Sequence, residues 1–232
     1  MKKFFTLLVS FALPLLMLAQ ETENKIKVEF GGFVRNEMMY NTRQNLSARG
    51  EGMFYLAPNP IVLDSAGNDI NGNPNFNMVG INTRLRAKIT GPDAFGAKTS
   101  ALVEADFFGI SGANKFNLRL RHAMMKLTWE NSSLMIGQYW HPSFVTGCFP
   151  ATVSFGAGVP FNPFARVPQL RYTYNLGEKL NISGAMMAQG HFKSKEPIGG
   201  TAGASFNNAG IPEFSLQLQY KAHDTDEWFV GF

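Results

Sequence analysis

The chain has 232 residues, with 21 Lys and Arg, 17 Asp and Glu, and a single cysteine, Cys148. One cysteine excludes an internal disulfide framework and a cysteine-based zinc site, and reads most simply as a small buried residue. The pI near 9.2 and the formal charge of +4 include two leader lysines, so no nucleic-acid partner is expected.

Residues 1–20 are laid out as a secretory signal peptide. Lys2 and Lys3 form its basic start, Phe4 to Leu18 its apolar stretch broken by Pro14, and Ala19 is small enough to precede a cut before Gln20. With Lys2 and Lys3 removed, 19 basic side chains face 17 acidic ones, a formal charge of +2. No later apolar run is long enough for a spanning helix, so in a membrane this chain crosses as strands. No cysteine sits at the end of the leader, so lipoprotein anchoring is not expected.

The first mature strand is expected over residues 26–40. Ile26, Val28, Phe30, Val34, Met38 and Tyr40 share one face, and Lys27, Glu29, Arg35 and Glu37 the other. Val79–Thr90 repeats the pattern more sharply: Val79, Ile81, Leu85, Ala87 and Ile89 alternate with polar residues that include Arg84, Arg86 and Lys88. Gly91-Pro92-Asp93 predicts a reversal, followed by a strand over 97–108 with Lys98, Ser100, Glu104 and Asp106 on its polar side. A fourth strand starts near Phe116 with Asn117, Arg119 and Arg121 facing one way. Its phase is ambiguous at His122–Lys126, where a bulge would shift the faces. Glu130-Asn131-Ser132 turns into Leu134–Trp140, and further strands are expected over 170–176, 180–192 and 214–222, with a ninth from Glu227 to Phe232.

These segments approach the ~9–11 residues of a transmembrane strand. Their connections alternate, with long segments 41–78, 141–168 and 193–212 (and 109–115) on one side and tight reversals near 91–96, 130–133, 176–179 and 223–226 on the other. That rhythm and the repeated two-faced strands predict an all-β fold, a transmembrane antiparallel β-barrel of residues 21–232 in the outer membrane, in contact with its lipid. Bacterial barrels have even strand numbers, so a ninth strand after a short turn predicts a chain truncated at its C-terminus.

Segment 141–168 is rich in Gly, Pro and Phe, which suits folding into a lumen better than standing in water. Phe161, Phe164 and Arg166 are therefore expected in a constriction loop, with ordinary self-packing at the surface as the alternative. Tyr139, Trp140, Tyr172, Tyr174 and Tyr220 are candidates for aromatic girdles, Trp140 equally for the core.

Three segments carry a family resemblance: Arg119-Leu120-Arg121-His122-Ala123, Ile136-Gly137-Gln138-Tyr139-Trp140-His141-Pro142, and Pro160-Phe161-Asn162-Pro163-Phe164-Ala165-Arg166. With Gly31-Gly32-Phe33-Val34 and Asp106-Phe107-Phe108-Gly109, they resemble Gram-negative outer-membrane porins, the DcaP-like trimeric porins above all. The resemblance spans about residues 26–175. It implies a homotrimeric diffusion pore constricted by its third external loop, in barrels of about sixteen strands; this chain supplies about half of them.

The expected pore-lining residues are Arg84, Arg86, Lys88, Glu104, Asp106, Arg119, Arg121 and Arg171. Such cationic rows favour passing anions, although the arginines also have the option of pairing with Glu104 and Asp106 to brace the wall. No GxSxG, HExxH, P-loop or dinucleotide motif is present, so no catalytic residue, metal or cofactor is expected. His122, His141, His191 and His223 lack metal-ligand spacing, and His141 beside Ser143 is a weak hydrolase signal. The expectation is a passive channel for small hydrophilic, preferably anionic solutes and not an enzyme. A small closed barrel acting as adhesin or anchor is the alternative, and an outer-membrane hydrolase a distant third.

Overall fold

The computed structural model describes residues 25–48, 54–109, 116–149, 164–190, 193–196, 200–221 and 229–231; the signal-peptide segment 1–20 lies outside them. Thirteen strands occur among these residues: β1 (Lys27–Phe33), β2 (Glu37–Asn41), β3 (Asn45–Ala48), β4 (Phe54–Pro58), β5 (Asn75–Val79), β6 (Arg84–Ala94), β7 (Ala97–Asp106), β8 (Arg119–Thr128), β9 (Ser132–Trp140), β10 (Arg166–Asn175), β11 (Leu180–Met187), β12 (Glu213–Lys221) and β13 (Phe229–Gly231). Nine of them form one antiparallel sheet in the order β1-β6-β7-β8-β9-β10-β11-β12-β13. The fold is all-β, as expected. Among the described residues no helix is long and apolar enough to cross a membrane.

The two faces of this sheet differ in chemistry. Phe30, Leu85, Val103, Leu120, Met125, Ile136, Leu170, Ile182, Phe214 and Leu216 all stand bare on one face, with Phe30 85 % and Leu216 75 % exposed. An apolar face running across eight strands, β1 and β6 to β12, far exceeds the few hundred Å² tolerated by a soluble monomer. The opposite face carries the buried polar residues Glu104, Asp106, Arg121, His122, Gln169 and Ser183. Apolar outside and polar inside is the reverse of a soluble sandwich and suits a wall between lipid and a lumen.

Several boundaries differ from expectation. The strand expected over 26–40 breaks at 34–36, and Val79–Thr90 breaks at 80–83, directly opposite. There Thr83 folds back on Gly80, its amide and Oγ1 both meeting the Gly80 carbonyl, and Ile81 and Asn82 are tucked in at 5 % and 4 % exposure. The four-against-three mismatch moves the pairing by one residue between β1–β6 and β2–β5. Segment 41–78 is largely a hairpin arm, with β2 paired to β5 and β3 to β4, continuing beyond the wall.

Gly91-Pro92-Asp93 is not the reversal. The chain continues to Ala94 and turns at Phe95 and Gly96, whose φ of 54° and 71° give the primed hairpin geometry that matches strand twist. Pro92 has no N–H to give a ladder, and it sits in the irregularity between Gly91 and Ala94. Thr99 Oγ1 on the Pro92 carbonyl (2.8 Å) and Lys98 on Asp93 (2.7 Å) hold the pair closed there. β8 starts at Arg119, later than expected, and β10 at Arg166, earlier, so Arg166 is a strand residue paired with Trp140. β11 ends at Met187, and His191 and Phe192 lie outside the described residues. Cys148 is exposed, in a one-turn 3-10 helix at Thr146–Cys148, and not a buried filler.

Candidate pore-lining site

β7 places Glu104 and Asp106 two residues apart, hence on one face. β6 sets Arg84 opposite Asp106 and Arg86 opposite Glu104. On the other flank β8 sets Arg119 opposite Asp106 and His122 opposite Glu104, so Arg121 is the extra residue of a bulge. A bulge puts two successive side chains toward one face. Arg121 and His122 are accordingly both 4 % exposed on the polar side, and Met125 and Leu127 resume the outer face.

The purpose of that bulge is visible in the ion pairs. Fully buried Asp106 accepts from Arg119 Nε (2.8 Å) and Nη2 (3.1 Å), Arg121 Nη1 (2.9 Å) and the Phe108 amide (3.2 Å). Glu104 accepts from Arg121 Nε at 2.7 Å, with Arg84 Nε at 3.6 Å and His122 Nε2 at 3.8 Å. Two carboxylates cannot stay ionised in a buried wall without such partners. The break in the ladder is closed by Gln138, whose amide donates to the carbonyls of Leu120 (3.3 Å) and Arg121 (3.0 Å).

The guanidiniums also lie on rings: Arg84 over Phe33 (5.2 Å), Arg119 over Phe108 (5.1 Å), and both Arg121 (5.5 Å) and Arg166 (4.7 Å) over Trp140. His122 stacks against Tyr139 at 4.6 Å and Trp140 at 5.2 Å. Arg84, Arg119, Arg121 and Arg166 against Glu104 and Asp106 leave a formal +2 with His122 neutral.

Of the residues expected from sequence, Arg84, Glu104, Asp106, Arg119, Arg121 and Arg166 meet in this cluster. Arg86 is half-buried on the same face, and Lys88 is exposed, across from Glu29 of β1. Arg171 stands apart on β10, donating to Gln169 Oε1 (2.9 Å) and the Trp140 carbonyl (2.6 Å). Phe161 lies outside the described residues. Phe164 packs on Phe144 (5.2 Å), Phe149 (5.7 Å) and Trp140 (6.3 Å). Tyr139 and Trp140 therefore belong to the interior and not to a girdle, whereas Tyr172, Tyr174 and Tyr220 stand exposed on the outer face.

The segment after Trp140 turns over the polar face. Gln217 of β12 donates its amide to the Pro142 carbonyl at 2.6 Å. β12 is three strands from β9, roughly 14 Å along the sheet, so this bond requires the segment to cross above β10 and β11. A cavity of about 470 Å³ lies beneath it, walled by Tyr139, Trp140, Phe144, Thr146, Arg171 and Gln219 among others. His141 and Ser143 form a local turn here, with Nδ1 2.5 Å from Ser143 Oγ and the Phe144 amide on the His141 carbonyl. Among the described residues no group of three or more His, Cys, Asp and Glu is arranged to hold a metal.

Sequence reasoning missed His122, Gln138, Gln217 and Gln219. For the last two the signal was in β12, where Phe214, Leu216, Leu218 and Tyr220 alternate with Ser215, Gln217 and Gln219.

No protein family matches this chain, and no curated protein does. Two solved structures are similar to it. One is the outer membrane channel DcaP of Acinetobacter baumannii, 21% identical with a TM-score of 0.57, over 84% of this chain and 49% of that one. The other is a loop-deletion mutant of OmpT, an outer membrane protein of Vibrio cholerae, 10% identical with a TM-score of 0.41, over 86% of this chain and 66% of that one. The chain thus spans about half the length of the channel it matches. The likeness to that channel shows the fold, a β-barrel wall.

Proposed function

We propose that this chain resides in the outer membrane and lines a passive channel for small hydrophilic solutes, with a preference for anions. The observation that carries the reading is the polar-face cluster, in which four guanidiniums face two carboxylates. The ion pairs absorb Arg119 and Arg121 into bracing. Arg84, with no hydrogen bond at Nε, and Arg166, held on a ring, are the cations left to act on a passing solute. Loop 141–168 narrows the channel, which is supported by the Gln217–Pro142 bond and the Phe144–Phe149–Phe164 packing. The channel is homotrimeric in this reading, and the His141–Ser143 pair shapes a turn without catalysing a reaction. The test is the reversal potential of the full chain, expressed from its own gene, in a planar bilayer under a salt gradient. Arg84→Gln with Arg166→Gln is expected to shift it toward cations; an unchanged potential contradicts the anion preference.

A further inference from the structure

The cavity under segment 142–147 differs chemically from the arginine cluster. None of Arg84, Arg119, Arg121 or Arg166 lines it, and its one cation, Arg171, is already held by Gln169 and the Trp140 carbonyl. Tyr139, Trp140 and Phe144 supply three aromatic rings. The Gln219 amide, the Arg171 guanidinium, the Thr146 hydroxyl and the Tyr139 phenol supply hydrogen-bonding groups around them. Among the described residues no carboxylate lines it, which removes the natural counterpart for a cationic ligand. At about 470 Å³ it falls in the usual range of small-molecule sites, about 300–1,000 Å³.

We propose that this cavity is a saturable binding site for an uncharged hydroxylated ring, a monosaccharide or short oligosaccharide. Such a ring has an apolar C–H face that lies against an aromatic plane and a rim of hydroxyls that both donate and accept. The cavity offers the matching pair, rings on one side and amide, hydroxyl and guanidinium groups on the other. A free anion prefers the cluster at Trp140, where four guanidiniums gather, over a cavity with a single guanidinium, two of whose five N–H groups go to Gln169 and the Trp140 carbonyl and the rest of which remain to donate to a hydroxyl. Trp140 borders both, lining the cavity and carrying Arg121 and Arg166 over its ring, so neutral and anionic solutes are received at adjacent but separate places.

The inference rests on the channel reading, and the experiment separates the two. The full chain is inserted into a planar bilayer, and its conductance in potassium chloride is titrated with glucose, with maltose, and with benzoate as the anionic probe. A saturable fall in current with glucose or maltose is expected, its half-blocking concentration rising five-fold or more in Gln219→Ala and in Thr146→Ala. Open channels whose current ignores both sugars, or block by benzoate alone, overturn the site and leave the channel standing. A protein that inserts without conducting overturns the channel itself.

Discussion

At the scale of single residues, the region around the β8 bulge concentrates the constraints. Gly137 has a φ of 127°, and a Cβ added there would run into the Ala123 carbonyl oxygen, a backbone atom that cannot step aside. Gly137→Ala is therefore expected to cost about 1–3 kcal/mol or more, read as lost heat-modifiable migration of the folded barrel on gels. Gln138→Leu keeps the volume but strands two carbonyls on the side facing lipid. A loss of about 1–3 kcal/mol is expected in urea unfolding from vesicles, and an unchanged midpoint would mean the bulge closes without Gln138. Arg121 differs from Arg84 in what its removal leaves behind. Arg121→Gln takes partners from both Glu104 and Asp106 and is expected to destabilise by about 3 kcal/mol or more, whereas Arg84→Gln chiefly alters selectivity. In the hairpin arm, the Arg43 guanidinium bonded to Asp69 holds that carboxyl below the usual range. A lowered pKa stabilises above the unfolded value and is lost as pH falls through the folded one. The protection factors of the Val62 and Asn71 amides, both donors to Asp69, should fall as the pH drops below the ordinary carboxylate range.

At the scale of elements, the strands were legible wherever one face meets lipid. β6, β7 and β12 show the two-residue alternation because apolar and polar environments lie on opposite sides of the wall. What stayed hidden was local. Pro92 reads as a turn because it breaks ladders, but here an irregularity with side-chain bonds absorbs it. The break at 80–83 depends on Thr83 folding onto Gly80. The phase beyond Arg121 is fixed by carboxylates on the neighbouring strand, which no window along β8 contains. In the same way the cluster's arginines were legible as an inward row, but their division between bracing and free charge depends on cross-strand register. Trp140 and Tyr139 look like girdle residues until the returning loop is seen to cover them. That loop yields its own expectation: Gln217→Ala removes the bond to Pro142, and deletion of 150–163 shortens the segment, so both should raise single-channel conductance, the deletion more.

At the scale of the molecule, an apolar outer face, a polar inner face and a covering loop are together what the proposed aqueous passage in lipid requires. In the proposed channel the charge of the inner face sets the anion preference, and exposed parts of that preference should fade as salt shortens the Debye length from about 10 Å at 0.1 M to about 3 Å at 1 M. The bracing pairs, buried among Glu104, Asp106, Arg119 and Arg121, should persist across the same range. The most direct test of the account is to reconstitute the full chain in a planar bilayer and record current under a potassium chloride gradient. Stepwise openings with a reversal potential on the chloride side are predicted. Stable insertion with no current, or openings that select potassium, would contradict it.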